Sequence, residues 1–432
     1  VVKRSIVWFK TDLRLHDNKT LVKAIAQSDG IIPVYCFDDT HYKTTNFGFK
    51  KTGCYRAQFI LEAVCNLKDN LQKLNSDLLV LHGNPEVELS KIVKEFNVKT
   101  VFAQEEITNE EKLTQNKVEK ELFNLDCSLQ TYQTNTLYQF DNLPFNPENA
   151  PDVFTNFRKA VEKDCIIGDM FEAPKQIKSP KLPLTILPDL NALQLESTNT
   201  DVRSAFPFKG GETEALDRLS NYFYNTKSIL TYKETRNGMV GDSYSTKFSA
   251  WLALGCISAK KIIAELKVFE EKHEANTSTY WLFFELLWRD YFKLMMVKHG
   301  NRFFLRDGIS GLIKAAKPLN KFALKKWIDG KTGNDFIDAN MIELKKTGFM
   351  SNRGRQNVAS YFCNDLNLDW RYGAAYFEEQ LIDYDVCSNW GNWAYLAGVG
   401  NDPRSNRYFN IEKQASVYDP NATFRKLWLT KK

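Results

Sequence analysis

Four short β-rich runs set the first constraint on the fold: SIVWF (5–9), IIPVYCF (31–37), LLVLHG (78–83) and TVFAQ (100–104). Helical patterns separate them. RAQFILEAVCNLKDNLQKLN (56–75) carries Phe59, Leu61, Val64, Leu67, Leu71 and Leu74 at roughly helical spacing. Strand–helix alternation on this scale predicts a doubly wound parallel sheet. The turn after the first strand reads KTDLRLHDN and lacks G-x-G-x-x-G, so this Rossmann-like unit is not expected to hold a dinucleotide in the usual way.

The pattern then changes. FEAPKQIKSPKLPLTILPDLN (171–191) is rich in Pro and Lys, keeps no period and reads as a connector. From about residue 212 helical patterns dominate. The expected organisation is an α/β unit at 1–134, a connector at 135–211 and an all-α unit at 212–432. Eight scattered Cys without C-x-x-C and five dispersed His without H-E-x-x-H argue against a metal or dithiol site. The net charge of +5 suits a phosphate-bearing partner without demanding one. No apolar run reaches membrane-spanning length and no signal peptide opens the chain, the pattern of a cytoplasmic protein. A start at Val1 keeps organellar import as an alternative.

Charge then turns up where apolar residues should be alone. TYWLFFELLWRDYFKLMM (279–296) is apolar nearly all round, yet contains Glu285 and Arg289 one helical turn apart, beside Trp281 and Trp288. A surface ion pair would account for them on a polar face, but this helix scarcely has one. A pocket holding a polar ligand beside aromatics is the better reading. TGFMSNRGRQN (347–357) concentrates Asn352, Arg353, Arg355 and Gln356, and Arg suits bidentate carboxylate or phosphate contacts. YSTKFSAWLALG (244–255) sets Ser245, Thr246, Lys247 and Ser249 before an apolar helix. One hydroxyl is explained by capping; three with a Lys suit a pyrophosphate.

LIDYDVCSNWGNWAY (381–395) mixes acids and tryptophans. A helix over 384–395 would place Asp385, Asn389 and Trp393 on one stripe, with Asp383 outside its first turn. A metal would need more carboxylates or His. A planar ligand with amide-like donors and acceptors inside an aromatic wall fits better, and an isoalloxazine ring meets that description.

Taken together, WFKTDLRLHDN (8–18), FKGGETEALDRLSNY (208–222), YSTKFSAWLALGCIS (244–258), FELLWRDYF (284–292), TGFMSNRGRQN, LIDYDVCSNWGNWAY and GVGNDPRSNRYFN (398–410) resemble the motifs of the photolyase/cryptochrome family, in the family's order. SNRGRQN and GVGNDPR resemble its DASH branch most closely. The resemblance implies a Rossmann-like N-terminal domain joined by a long connector to a helical domain holding FAD. Tyr232 and Ser245, Thr246, Lys247, Phe248 and Ser249 would hold the pyrophosphate and adenine side. Trp281, Glu285 and Arg289 would line the central cavity. Asn352 and Arg355 would flank the flavin, with Arg355 paired to Asp383, Asp385 along its polar edge and Asn389 opposite N5. Reduced flavin in this family passes an electron to a cyclobutane pyrimidine dimer under blue light and recovers it after the ring splits.

Trp288 and Tyr395 resemble the walls that stack on the flipped dimer. The Tyr, where a Trp is commoner in the family, is consistent with a preference for single-stranded DNA. Arg353, Gln356, Lys247, Arg404 and Arg407 would contact the DNA strand. Trp393 and Trp370 resemble the first members of the electron chain that photoreduces flavin. Its third Trp is expected near position 317, which is Lys317. AQEEITNEE (103–111) resembles the antenna loop, with Glu110 at the acidic position that binds a methenyltetrahydrofolate pteridine. A monomer is expected. The competing implication is a signalling photoreceptor with little repair activity; the chain ending with NATFRKLWLTKK leaves little room for the long C-terminal extension such receptors often carry, which favours the enzyme. A photolyase for (6-4) products should show a His pair near the cavity, and no His occurs in 347–410.

Overall fold

The computed structural model describes residues 2–311, 319–404 and 407–430; Lys317 lies outside them. Five strands, β1 (Arg4–Phe9), β2 (Gly30–Phe37), β3 (Leu79–His82), β4 (Thr100–Gln104) and β5 (Ser128–Tyr132), form one parallel sheet in the order β3-β2-β1-β4-β5. Alternate residues of β1 go to opposite faces. Ile6 and Trp8 join the core built with α3 (Pro85–Phe96) and α4 (Asn109–Phe123). Val7 and Phe9 join the one built with α1 (Lys19–Gln27) and α2 (Cys54–Gln72). Two buried faces explain why the inner strands read as unbroken apolar runs. β5 has the sequence SLQTY and a partly exposed edge position, so it carries no apolar signal.

The chain then runs through α5 (Phe154–Asp164) into a helical unit. Its first half holds α6 (Glu212–Ser220), α7 (Tyr232–Thr235), α8 (Ser249–Ala253), α9 (Ala259–Lys272) and α10 (Thr277–His299). Its second half holds α11 (Lys321–Ile328), α12 (Asp335–Thr347), α13 (Asn352–Ser360), α14 (Trp370–Gln380), α15 (Val386–Leu396), α16 (Ile411–Tyr418) and α17 (Thr423–Leu429).

The loop after β1 is one place where the two units dock. Leu13 N–H donates to Leu254 O at 3.2 Å. Arg14, 1% exposed, donates to Gly255 O at 2.9 Å and to Asp17 O and Thr134 O at 3.0 Å. The Glu212 carboxylate accepts the N–H groups of Leu15 (2.9 Å) and His16 (3.0 Å) and contacts the His16 ring. Gly255 has φ +65°, and a Cβ there would lie 2.0 Å from Thr11 O. KTDLRLHDN therefore does the work of an interface, and a glycine-rich phosphate loop would have nothing to grip with.

The segment before α5 wraps α10. Asp290 accepts Leu137 N–H at 2.8 Å and Tyr138 N–H at 3.2 Å. Lys298 donates to Ala150 O at 2.7 Å, and Tyr291 OH donates to Asp152 O.

Candidate functional site

Asn276 starts α10 with a capping box: its side chain accepts Ser278 N–H at 2.8 Å and Thr279 N–H at 3.1 Å, and Thr279 Oγ1 accepts Asn276 N–H at 3.1 Å. The charges inside this helix do not pair with each other. Glu285 takes Arg236, just past α7, at 2.6 Å. Burial raises the Glu285 pKa and Arg236 opposes that rise. Arg289 donates to Asn135 O at 2.8 Å and Leu252 O at 3.2 Å, and also to the Asn135 side chain. The cost of burial is thus met by partners distant in sequence.

Glu285 and Arg289 both face a cavity of about 460 Å³. Tyr232 and Arg236 form one end of its wall, followed by Thr246, Phe248 and Ser249 around the start of α8. α13 supplies Asn352, Arg353, Arg355 and Gln356; Ser351 caps this helix by accepting Gly354 N–H at 3.1 Å. Arg355 pairs with Asp383 at 2.8 Å. Asp383 Oδ1 and Gln356 Oε1 are buried without a protein partner, two acceptors available to a ligand.

α15 starts at Val386, so Asp385 is its N-cap and not a residue of its first turn. Asp385 accepts Ser388 N–H at 2.8 Å and pairs with Lys293 of α10 at 3.1 Å. Gly391 lets these helices meet, since a Cβ there would lie 2.3 Å from the Phe292 ring. At the cavity's aromatic end Trp288 and Tyr395 stand 6.0 Å apart at 85°. Arg407 lies 4.6 Å over the Tyr395 ring, donates to its hydroxyl at 3.1 Å and pairs with buried Asp402. Five arginines and three carboxylates line this space, a balance suited to phosphates.

Several expected residues lie elsewhere. Lys247 does not reach solvent or the cavity: it is 2% exposed, with its ammonium 3.0 Å over the Tyr244 ring and 5.1 Å from Phe349. Its backbone has φ +63°, and burial drives its pKa well down. The expectation that it contacts DNA phosphates is overturned. Trp281 is also off the cavity wall, stacked on Phe284 at 4.7 Å beneath Lys233 and Arg236. Ser245 lends its carbonyl to Arg218 at 3.0 Å. Asn389 donates to Ala374 O at 3.0 Å and does not line the cavity. Arg404 is exposed, and Arg407 is committed to Asp402 and Tyr395.

Behind the cavity, Trp393 meets Phe377, Phe362 and Trp327 at 5.1, 5.6 and 6.2 Å. Trp370 donates to Arg306 O at 3.0 Å and meets Trp390 edge-on at 5.7 Å. Trp390 also contacts Phe304 at 5.2 Å and lines a second cavity of about 650 Å³. Phe47, Tyr384 and Glu110 share that wall, with Glu110 in the first turn of α4 and paired to Lys51. A third, smaller cavity lies between Trp8, Tyr35 and Gln104 at the ends of β1, β2 and β4 and Lys293 opposite. Lys293 was missed although Glu285, Arg289 and Lys293 recur at four-residue steps on α10; that repeat was the available signal.

Comparison with known proteins gives this architecture a class. The family model "DNA photolyase" matches residues 5–180, and "FAD binding domain of DNA photolyase" matches residues 281–431. The helical unit is thus a photolyase-type FAD-binding domain. A Cryptochrome DASH of Gloeobacter violaceus is 47% identical over 99% of this chain and 85% of its own length. One from Danio rerio is 47% identical over 98% and 82%. A solved cryptochrome of Synechocystis superposes with a TM-score of 0.95 at 46% identity, over 99% of this chain and 89% of that one. The chain belongs to the DASH branch of the photolyase/cryptochrome family. Among the described residues no helix is long and apolar enough to cross a membrane.

Proposed function

We propose that this chain is an FAD-dependent lyase that splits cyclobutane pyrimidine dimers under blue light, preferentially in single-stranded DNA. The carrying observation is that one cavity joins a polar, arginine-rich wall to the Trp288–Tyr395 corner. A bound flavin supplies light absorption and the transferable electron. The chain supplies everything around it. Thr246, Ser249 and Arg236 suit a diphosphate, Asp383 and Gln356 offer free acceptors to a ring edge, and Lys293 neutralises Asp385. Trp288 and Tyr395 offer surfaces to unstacked bases, with Arg353 and exposed Arg404 available to phosphates. A dimer must leave its stack to enter, and that costs least in a single strand.

Trp393 and Trp370 serve as electron donors to the cavity, and the chain acts as a monomer. A second pigment, methenyltetrahydrofolate, fits the larger cavity, where Phe47 and Trp390 provide aromatic surface and Glu110 a carboxylate.

Illuminating the reduced protein with UV-damaged single-stranded oligonucleotide should restore thymine absorbance. No recovery above a dark control sinks the repair reading and favours a light-sensing role. Trp393→Phe should slow photoreduction and spare repair by chemically reduced protein; equal loss of both contradicts its role as donor.

A further inference from the structure

We infer that Phe154 is a positioning residue for lesion recognition, holding the Trp288 indole as a fixed, one-sided stacking wall. The inference rests on the reading of Trp288 as a surface for unstacked bases. The Phe154 and Trp288 rings lie parallel, 3.7 Å between centroids and 8° apart. Tyr291 stands edge-on to both at 5.5 Å, and Phe284 meets Phe154 edge-on at 5.2 Å. Trp288 lines the cavity and Phe154 does not; Phe154 is 6% exposed and belongs to the core. Phe154 therefore covers one indole face with core, while Trp288 lines the cavity beside Phe292 (5.7 Å, 32°) and Tyr395.

Phe154 is the first residue of α5, directly after the segment that Tyr291 and Lys298 tie to α10. The stacking partner comes from a separate element but is tied to the same helix that carries Trp288, so the two rings are held in register. An indole already held in its stacking orientation has little freedom left to lose when a base arrives, and such preorganisation tightens binding without a new contact to the ligand.

The test uses the flavin-loaded chain and a single-stranded oligonucleotide carrying one thymine dimer. Phe154→Met keeps a flexible apolar side chain in the core but removes the flat face. Its Kd should rise about three- to tenfold, the worth of an aromatic pair, with flavin content and repair per photon at saturating DNA unchanged. Phe154→Tyr should restore the starting Kd. Phe157→Met, an equally buried change one turn along α5, should leave Kd alone. An unchanged Kd in Phe154→Met, or an equal rise in Phe157→Met, overturns the inference. Trp288→Ala separates the two levels: an unchanged Kd there overturns the wall reading itself.

Discussion

Lys293 and Asp385 meet at the wall of the smaller cavity at the strand ends, and Asp385 also lines the central cavity. Burial alone would raise the Asp385 pKa, but Lys293, Arg289 and the Ser388 N–H together hold it well below the ordinary carboxylate value. Its folded pKa is depressed, so the stabilisation is present above the unfolded pKa near 4 and is lost as pH falls through the lower folded value. Lys293→Met leaves Asp385 buried and unpaired and should cost about 3–5 kcal/mol at neutral pH. Adding Asp385→Asn should recover most of that loss in urea denaturation. A single variant as stable as the parent would show that the pair fixes little. Spacing on α10 could have pointed to Lys293, but nothing local points to Asp385, which lies 92 residues away. Lys247 shows the opposite failure. Its hydroxyl neighbours suggest an anion site, while a left-handed backbone turns the side chain inward.

At the scale of elements, α10 is the most legible helix and the segment that wraps it the least. An apolar helix with internal charges can be read from its own sequence. The 135–154 segment contributes mainly backbone N–H and C=O groups, which every sequence has. Asp290 records the consequence. Burial lifts its pKa to about 6 despite Arg289 and the two N–H donors. The folded chain thus takes the proton more readily than the unfolded one. The stability this group leaves intact below pH 4 falls as pH rises to about 6 and is level above that. Asp290→Asn should therefore gain on the parent between those values by about 3 kcal/mol. Chemical denaturation at a series of pH values reads this difference; a flat difference would mean that Asp290 titrates normally.

For the whole molecule, the alternation of strands and helices made the sheet readable, and apolar periodicity made the helical unit readable. Their mutual placement was not, because it depends on contacts such as Leu13 to Leu254 and Arg14 to Gly255. Arg14→Met should leave three carbonyls without their donor. We expect calorimetry to resolve two unfolding transitions in that variant where the parent shows one; a single transition in both would mean that the loop does not couple the units. The same loop has an optical consequence. With Arg14 buried and Gly255 pressed against Thr11, the units have no hinge at this point. A pigment beside Glu110 and another in the central cavity would keep one fixed angle between their transition dipoles, so resonance transfer would be governed by a single orientation factor instead of an average over many.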